Sequence, residues 1–287
     1  MKREEILEYE IYAAGRFMKE GESYLKKWVD RLEVMNVERV HNAGKAPPYI
    51  YVCNHTSMLD YFIPSWVILN EGLPYPRSLV GSNLLNLFVK IFMWDFEKWG
   101  AIKVPRGKRV EENGEIKLIV EPREIKKYHR DNIEDLKNGN SLFVFPQGGR
   151  DSKERKERNH FKSEYFRIPL RALEKKEGGK FLIDDAQIVN VAAVYSVIPE
   201  KNYWKKIDAK GFGSKSYFFW DMFAYYRHTR SKEKGISTIN FAEPVSLREI
   251  QGEGSLKQRA NRVSDFCMRG IGGLLREIEQ GSVEKVV

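Results

Sequence analysis

Along this chain, short apolar runs alternate with stretches whose apolar positions recur every three or four residues. Over residues 1–40 the recurrence is helical: Ile6, Tyr9, Ala13 and Phe17, then Tyr24, Trp28 and Leu32 beyond Gly21. This predicts a helical pair that breaks at Gly21 and docks by its apolar stripe. "HNAGKAPP" (41–48), with two prolines, is a turn-rich linker. Beyond it, "YIYVC" (49–53), "SLVG" (78–81), "AIKV" (101–104), "SLFVF" (141–145), "IVNVAAVYSVI" (188–198) and "ISTINFA" (236–242) have the length and composition of strands. Helical patterns cover 121–138, 163–176 and 255–279, the last with Val263, Phe266, Ile271, Leu274 and Ile278 on an inner face. Alternation of this kind predicts an α/β fold with a largely parallel or mixed central sheet flanked by helices. The N-terminal helical segment and linker take up residues 1–44, and the main domain takes up 45–287.

Composition narrows the partners rather than the fold. Forty-nine basic and 40 acidic residues leave a formal charge of +9, which favours anionic partners. The two cysteines, Cys53 and Cys267, are far apart and form no metal-binding constellation, which suits a reducing cytoplasm. The acidic start "MKREEILEYE" is unlike a signal peptide. The most apolar stretch, "LVGSNLLNLFVKIFMW" (79–94), is interrupted by Asn83, Asn86 and Lys90, so no transmembrane span is expected. Two segments, 150–162 and 200–234, carry excess Lys and Arg, and the second interleaves them with aromatics such as Trp204, Phe218 and Trp220. That mixture suits an anionic membrane surface or an acidic carrier protein. It equally fits a solvated face over core. Nucleic-acid binding is not expected, since neither a known module nor a repeated aromatic platform is present.

The candidate chemistry lies in "CNHTSMLD" (53–60). His55 and Asp60 would stand about 140° apart on one helix, so they cannot share a helical face. They can meet if His55 lies in the loop after a strand and Asp60 in the first turn of the helix that follows. "SMLD" supports this as a capping box, with Ser57 as N-cap and Asp60 at the third helical position. Asp60 could then merely cap the helix. Alternatively, His55 could take a proton from an attacking hydroxyl while Asp60 orients and stabilises the imidazole. The helix start also offers N–H groups to an anion. Cys53 reads as a small buried residue rather than a nucleophile, and His41, His129, His160 and His228 have no convincing partners.

Further companions follow in order. Gly100 and Arg106 lie in "WGAIKVPRGK", the second just past a strand. "FPQGGRD" (145–151) places Gln147, Gly148, Gly149 and Arg150 directly after another, where glycines permit close ligand approach and an arginine can grip phosphate. The strand 188–198 leads to Pro199, and "INFAEPVSL" (239–247) comes late. Together these segments resemble the glycerol-3-phosphate and lysophosphatidate acyltransferase family over roughly residues 48–250. Asn54, His55 and Asp60 match its N-H-x-x-x-x-D motif in full.

The resemblance implies a histidine general base, His55, with Asp60 as its partner. It implies substrate contacts from Asn54, Arg106, Gln147, Gly148, Gly149 and Arg150, the arginines holding the acceptor's phosphate. The acyl group would come from acyl-CoA or acyl carrier protein as co-substrate, with neither metal nor other cofactor, and pass to a hydroxyl of glycerol 3-phosphate or 1-acyl-glycerol 3-phosphate. The enzyme is expected at the cytoplasmic face of a membrane, on its surface. Two positions depart from the pattern: Gln147 replaces the usual glutamate and Gly149 a common threonine. "GGRD" resembles soluble plastid-type glycerol-3-phosphate acyltransferases, whereas the short chain resembles the lysophosphatidate enzymes, so the acceptor stays open. The departures also admit an acyltransferase-like protein that binds lipid or carrier and has weak or altered catalysis.

Overall fold

The computed structural model describes residues 3–46, 48–81, 98–105, 108–112, 115–119, 121–147, 161–174, 176–178, 180–201 and 223–284. Helix α1 (Arg3–Trp28) is continuous, contrary to the break expected at Gly21. The glycine serves close approach instead. A Cβ there would lie 2.3 Å from Trp66 Cδ1 and 3.3 Å from Phe62 Cζ. The expected second helix of the pair is replaced after Trp28 by a strand, β1 (Arg31–Met35), and a short helix α2 (Glu38–Asn42).

The remaining strands are β2 (Tyr49–Cys53), β3 (Pro76–Gly81), β4 (Ile102–Val104), β5 (Lys108–Glu112), β6 (Glu115–Ile119), β7 (Ser141–Val144), β8 (Lys176–Glu177), β9 (Lys180–Phe181), β10 (Gln187–Tyr195), β11 (Ile236–Phe241) and β12 (Val245–Ser246). The helices after α2 are α3 (Ile63–Asn70), α4 (Pro122–Lys137), α5 (Glu164–Glu174), α6 (Leu247–Gln251) and α7 (Leu256–Glu284).

Among the described residues the main sheet has eight strands. Seven run in the order β1-β11-β10-β2-β7-β3-β4, and β12 pairs with β10. The block from β10 to β4 is parallel, β11 runs against β10, and β1 lies parallel to β11. The sheet is therefore mixed and mostly parallel, as the alternation predicts. β1, within residues 1–44, pairs with β11 of the main sheet.

The sheet is covered on both faces, which is why its central strands are nearly continuous apolar runs. Tyr51, Cys53, Phe143, Val189 and Val191 pack toward α1 and α3. Ile50, Val52, Leu142, Val144 and Ile188 face α4, α5 and α7 through Leu136, Phe166, Leu170, Val263 and Cys267. A separate hairpin, β5–β6, lies outside the main sheet.

Among the described residues, no helix is long and apolar enough to cross a membrane. The stretch 82–97 and the aromatic segment 202–222 fall outside them.

Candidate active site

β2 lies at the middle of the sheet with β7 on one side and β10 on the other. The chain leaves β2 to build β3 and β4, and only later inserts β7 and β10 beside it. This is the kind of strand-order reversal at which a parallel sheet leaves a crevice beyond its carboxyl ends. Three loops emerge at that edge beside one another: Asn54–Tyr61 after β2, Phe145–Gln147 after β7, and Ser196–Glu200 after β10.

His55 follows β2 on the face toward α1 and α3. Its ring sits against Phe145 and Tyr61, with centroids 4.8 and 5.0 Å away, and the residue is 4% exposed. The helix expected after it begins as a 3₁₀ turn, Met58–Tyr61, and passes through Phe62 into α3, where Pro64 fits the first turn. Phe62 is fully buried and gripped by Phe17, Trp28 and Trp99, so α1 holds the turn from behind. Ser57 is the N-cap and the capping box with Asp60 forms.

Asp60, at 0% exposure, does more than cap. Its Oδ2 accepts from Thr56 N at 2.6 Å, from Ser57 N at 2.8 Å and from His55 Nδ1 at 3.0 Å. A carboxylate can only accept, so Nδ1 carries the imidazole proton and the Nε2 lone pair is the basic one. The capping and orienting roles weighed from the sequence are both filled by one oxygen. Among the described residues, Asp60 Oδ1 and the buried Tyr195 hydroxyl make no hydrogen bond of good geometry, although the two groups lie close enough to interact. Burial, and then the charge of Asp60, push the Tyr195 phenol well above its ordinary value.

The other donors of the loop are also taken. His55 N–H donates to Gln147 Oε1, Met58 N–H to Glu200 Oε1 at 2.8 Å, and Leu59 N–H to Ser57 Oγ at 3.2 Å. The expectation that this helix start offers its N–H groups to a substrate anion is thereby corrected: the protein's own carboxylates, amide and hydroxyl already satisfy them. Such a loop is held in one geometry before any ligand arrives.

Asn54 was expected against substrate. Both polar atoms of its amide instead meet the backbone of β10, donating to Ala193 O and accepting from Ala193 N, each at 2.8 Å. It extends the β2–β10 ladder by one residue through a side chain. Gln147, the departure from the usual glutamate, uses its amide oxygen to accept from the His55 backbone, a contact open to a neutral acceptor though weaker than one to a carboxylate.

Gly100, the first glycine of "WGAIKVPRGK", has φ +75°, a region open to glycine, and its carbonyl accepts from Arg77 Nε at 2.9 Å. Arg106, Gly148, Gly149 and Arg150 lie outside the described residues. Their described neighbours are Pro105, which follows β4, and Gln147. Lys162 N–H donates to Pro146 O at 2.8 Å.

Cys53 is fully buried, and burial followed by the charge of Asp60 raises its thiol well above the usual range. This fits a core residue rather than a nucleophile. His228 donates Nε2–H to Trp28 O at 2.8 Å, a tie between the chain before β11 and the end of α1. Among the described residues, no group of three His, Cys, Asp or Glu side chains could hold a metal ion. The sequence reading missed Glu200 and Tyr225, whose side chains converge on Ser57 and Met58. The only signal for Glu200 was its place directly after Pro199.

No curated protein matches the chain. Among solved structures, the crystal structure of the 1-acyl-sn-glycerophosphate (LPA) acyltransferase PlsC from Thermotoga maritima is similar, with 18% sequence identity and a TM-score of 0.45. That match covers 95% of this chain and 81% of the other. A family model described as Acyltransferase matches residues 31–194, a span that contains the His55–Asp60 turn, Gln147 and most of β10. More than half of the sequence is thus accounted for by one family, with the histidine and aspartate inside the matched span: this chain belongs to the acyltransferase family.

Proposed function

We propose that this acyltransferase moves a fatty acyl group from an acyl thioester, acyl-CoA or acyl carrier protein, to a hydroxyl of glycerol 3-phosphate or 1-acyl-glycerol 3-phosphate in phospholipid synthesis. The observation that carries the reading is the 3.0 Å contact of His55 Nδ1 with a buried carboxylate at the carboxyl edge of a mostly parallel sheet. Nε2 takes the proton of the acceptor hydroxyl as its oxygen attacks the thioester carbonyl. The tetrahedral adduct collapses, the C–S bond breaks, and the departing thiolate takes the proton back from Nε2. Asp60 stabilises the imidazolium that exists between these transfers, a contribution of about 10²–10⁴ in rate for the acid–base pair.

Arg106 and Arg150 form the phosphate clamp of this reading, and Gly148 and Gly149 allow the backbone to approach the ligand. The excess positive charge supports work at an anionic membrane surface.

The test is turnover of acyl-CoA and acyl carrier protein thioesters with glycerol 3-phosphate and with 1-acyl-glycerol 3-phosphate, for the protein and for His55→Ala. Transfer to one acceptor by the protein, and none by a folded His55→Ala, is expected. Full turnover by the folded variant would remove the mechanism.

A further inference from the structure

Between β10 and β11 the chain makes a long excursion, and two of its side chains return to one point on the catalytic turn. Glu200 is 0% exposed and Tyr225 2%. Glu200 Oε1 accepts from Met58 N at 2.8 Å, while Oε2 accepts from the Tyr225 hydroxyl at 2.6 Å and from Ser57 Oγ at 3.3 Å. The Tyr225 oxygen lies 2.9 Å from Ser57 Oγ and 3.1 Å from Met58 N. A carboxylate removed from water is costly unless strong donors meet it. Here those donors include the backbone that carries the capping box.

The turn is therefore held by two carboxylates acting on consecutive residues. Asp60 holds Thr56 N–H, Ser57 N–H and the imidazole. Glu200 holds the next N–H along, that of Met58, and with Tyr225 fixes the Ser57 hydroxyl. Asp60 is itself part of the turn that Met58 opens, so where Ser57 and Met58 sit decides where the imidazole's carboxylate sits.

We propose that Glu200 and Tyr225 are positioning residues for His55: they lock Ser57 and Met58, and through them the Asp60 carboxylate, without touching substrate. The inference rests on His55 being the base. A displacement of about 1 Å at a reacting group costs on the order of 10²-fold in rate, so a lock on the turn has kinetic weight.

Two readouts separate this role from mere stability. The first is the downfield Nδ1–H proton resonance of His55, read without substrate and assigned by its loss in His55→Ala. The second is kcat against KM, with folded fraction checked by circular dichroism. Glu200→Ala is expected to shift or broaden the resonance and to lower kcat about 10- to 100-fold with KM little changed. Glu200→Gln can still accept from Met58 N–H and donate to Ser57 and Tyr225, and it is expected to restore the resonance and most of kcat. Tyr225→Phe is expected to lower kcat several-fold, and the double variant Glu200→Ala with Tyr225→Phe to lose little beyond Glu200→Ala, because both act on the same groups. Should Glu200→Ala fail to fold, Tyr225→Phe, which removes one hydroxyl, carries the test on both readouts. A folded Glu200→Ala, or failing that a Tyr225→Phe, with unchanged resonance and unchanged kcat overturns the proposal. A resonance that responds in a protein that transfers acyl groups to none of the acceptors upholds the lock and overturns the proposed activity instead.

Discussion

Asp60→Asn removes one charge from the hub of the His55–Asp60 turn and leaves its shape. With its carbonyl oxygen turned toward His55 Nδ1, Thr56 N and Ser57 N, asparagine keeps all three contacts now made at 3.0, 2.6 and 2.8 Å. Each becomes a neutral hydrogen bond. Bonds to charged groups contribute about 1.5–3 kcal/mol and neutral ones about 0.5–1.5, so the three together weaken by roughly 3 kcal/mol. Relief of burying a carboxylate offsets part of that, and the new amide N–H₂ can meet the Tyr195 hydroxyl beside it. A net loss of about 1–3 kcal/mol is expected, which leaves the chain folded. The loss of turnover is expected to be far larger, about 10²–10⁴ in kcat, because the imidazolium then forms beside a neutral amide. Urea unfolding followed by the fluorescence of Trp28, Trp66 and Trp99, which surround Phe62 and Gly21, measures the first quantity. Thioester consumption measures the second. A folded Asp60→Asn whose turnover stays within about threefold of the parent would refute the role given to this carboxylate.

Gln147→Glu retains an acceptor for His55 N–H and is expected to keep some turnover while altering acceptor affinity, read as a change in KM across acceptors. Unchanged kinetics with every acceptor would count against any role for this side chain in acceptor binding. Asn54→Ala strips both partners from the Ala193 peptide in the middle of the sheet and is expected to cost about 2–4 kcal/mol in urea unfolding; an effect under 0.5 kcal/mol would rule out the strut. Gly21→Ala and Gly15→Ala form a contrasting pair on one helix. The first drives a methyl into Trp66 and is expected to destabilise by about 1–3 kcal/mol, whereas the second meets nothing within 4 Å among the described residues and is expected to stabilise by about 0.5–1 kcal/mol. The two melting shifts should therefore have opposite signs. Both cysteines are buried with thiols raised by burial, so the thiolate is scarce even at alkaline pH. Disulfide-exchange reagents at pH 8 are expected to label neither until denaturant is added, and rapid labelling of Cys53 in the folded protein would argue for an accessible thiol.

Local pattern was enough for the elements that bury a face by themselves. "YIYVC" is β2 as read, and 121–138, 163–176 and 255–279 lie close to α4, α5 and α7, because a strand or amphipathic helix records its own packing in the spacing of its apolar residues. The geometry of His55 and Asp60 was legible for the same reason: a rotation of 100° per residue forbids a shared helical face, and a capping box spans only four residues.

Elsewhere the deciding neighbour lies far along the chain. "RLEVM" has the alternation of a strand, yet its Leu32 also continues the helical spacing of Tyr24 and Trp28; pairing with β11, some two hundred residues on, makes it β1. Gly21 reads as a helix break until Trp66 is brought against it. Nothing in "NHTSMLD" says that its N–H groups are taken, because the acceptors Gln147 and Glu200 arrive in the loops after β7 and β10. The sequence by itself determined which residue types could exchange a proton and how they could face each other. Tertiary structure decided which of the surrounding groups are spent on holding them, since a hydrogen bond is settled by proximity in space and the topology of the sheet alone brings the ends of β2, β7 and β10 together.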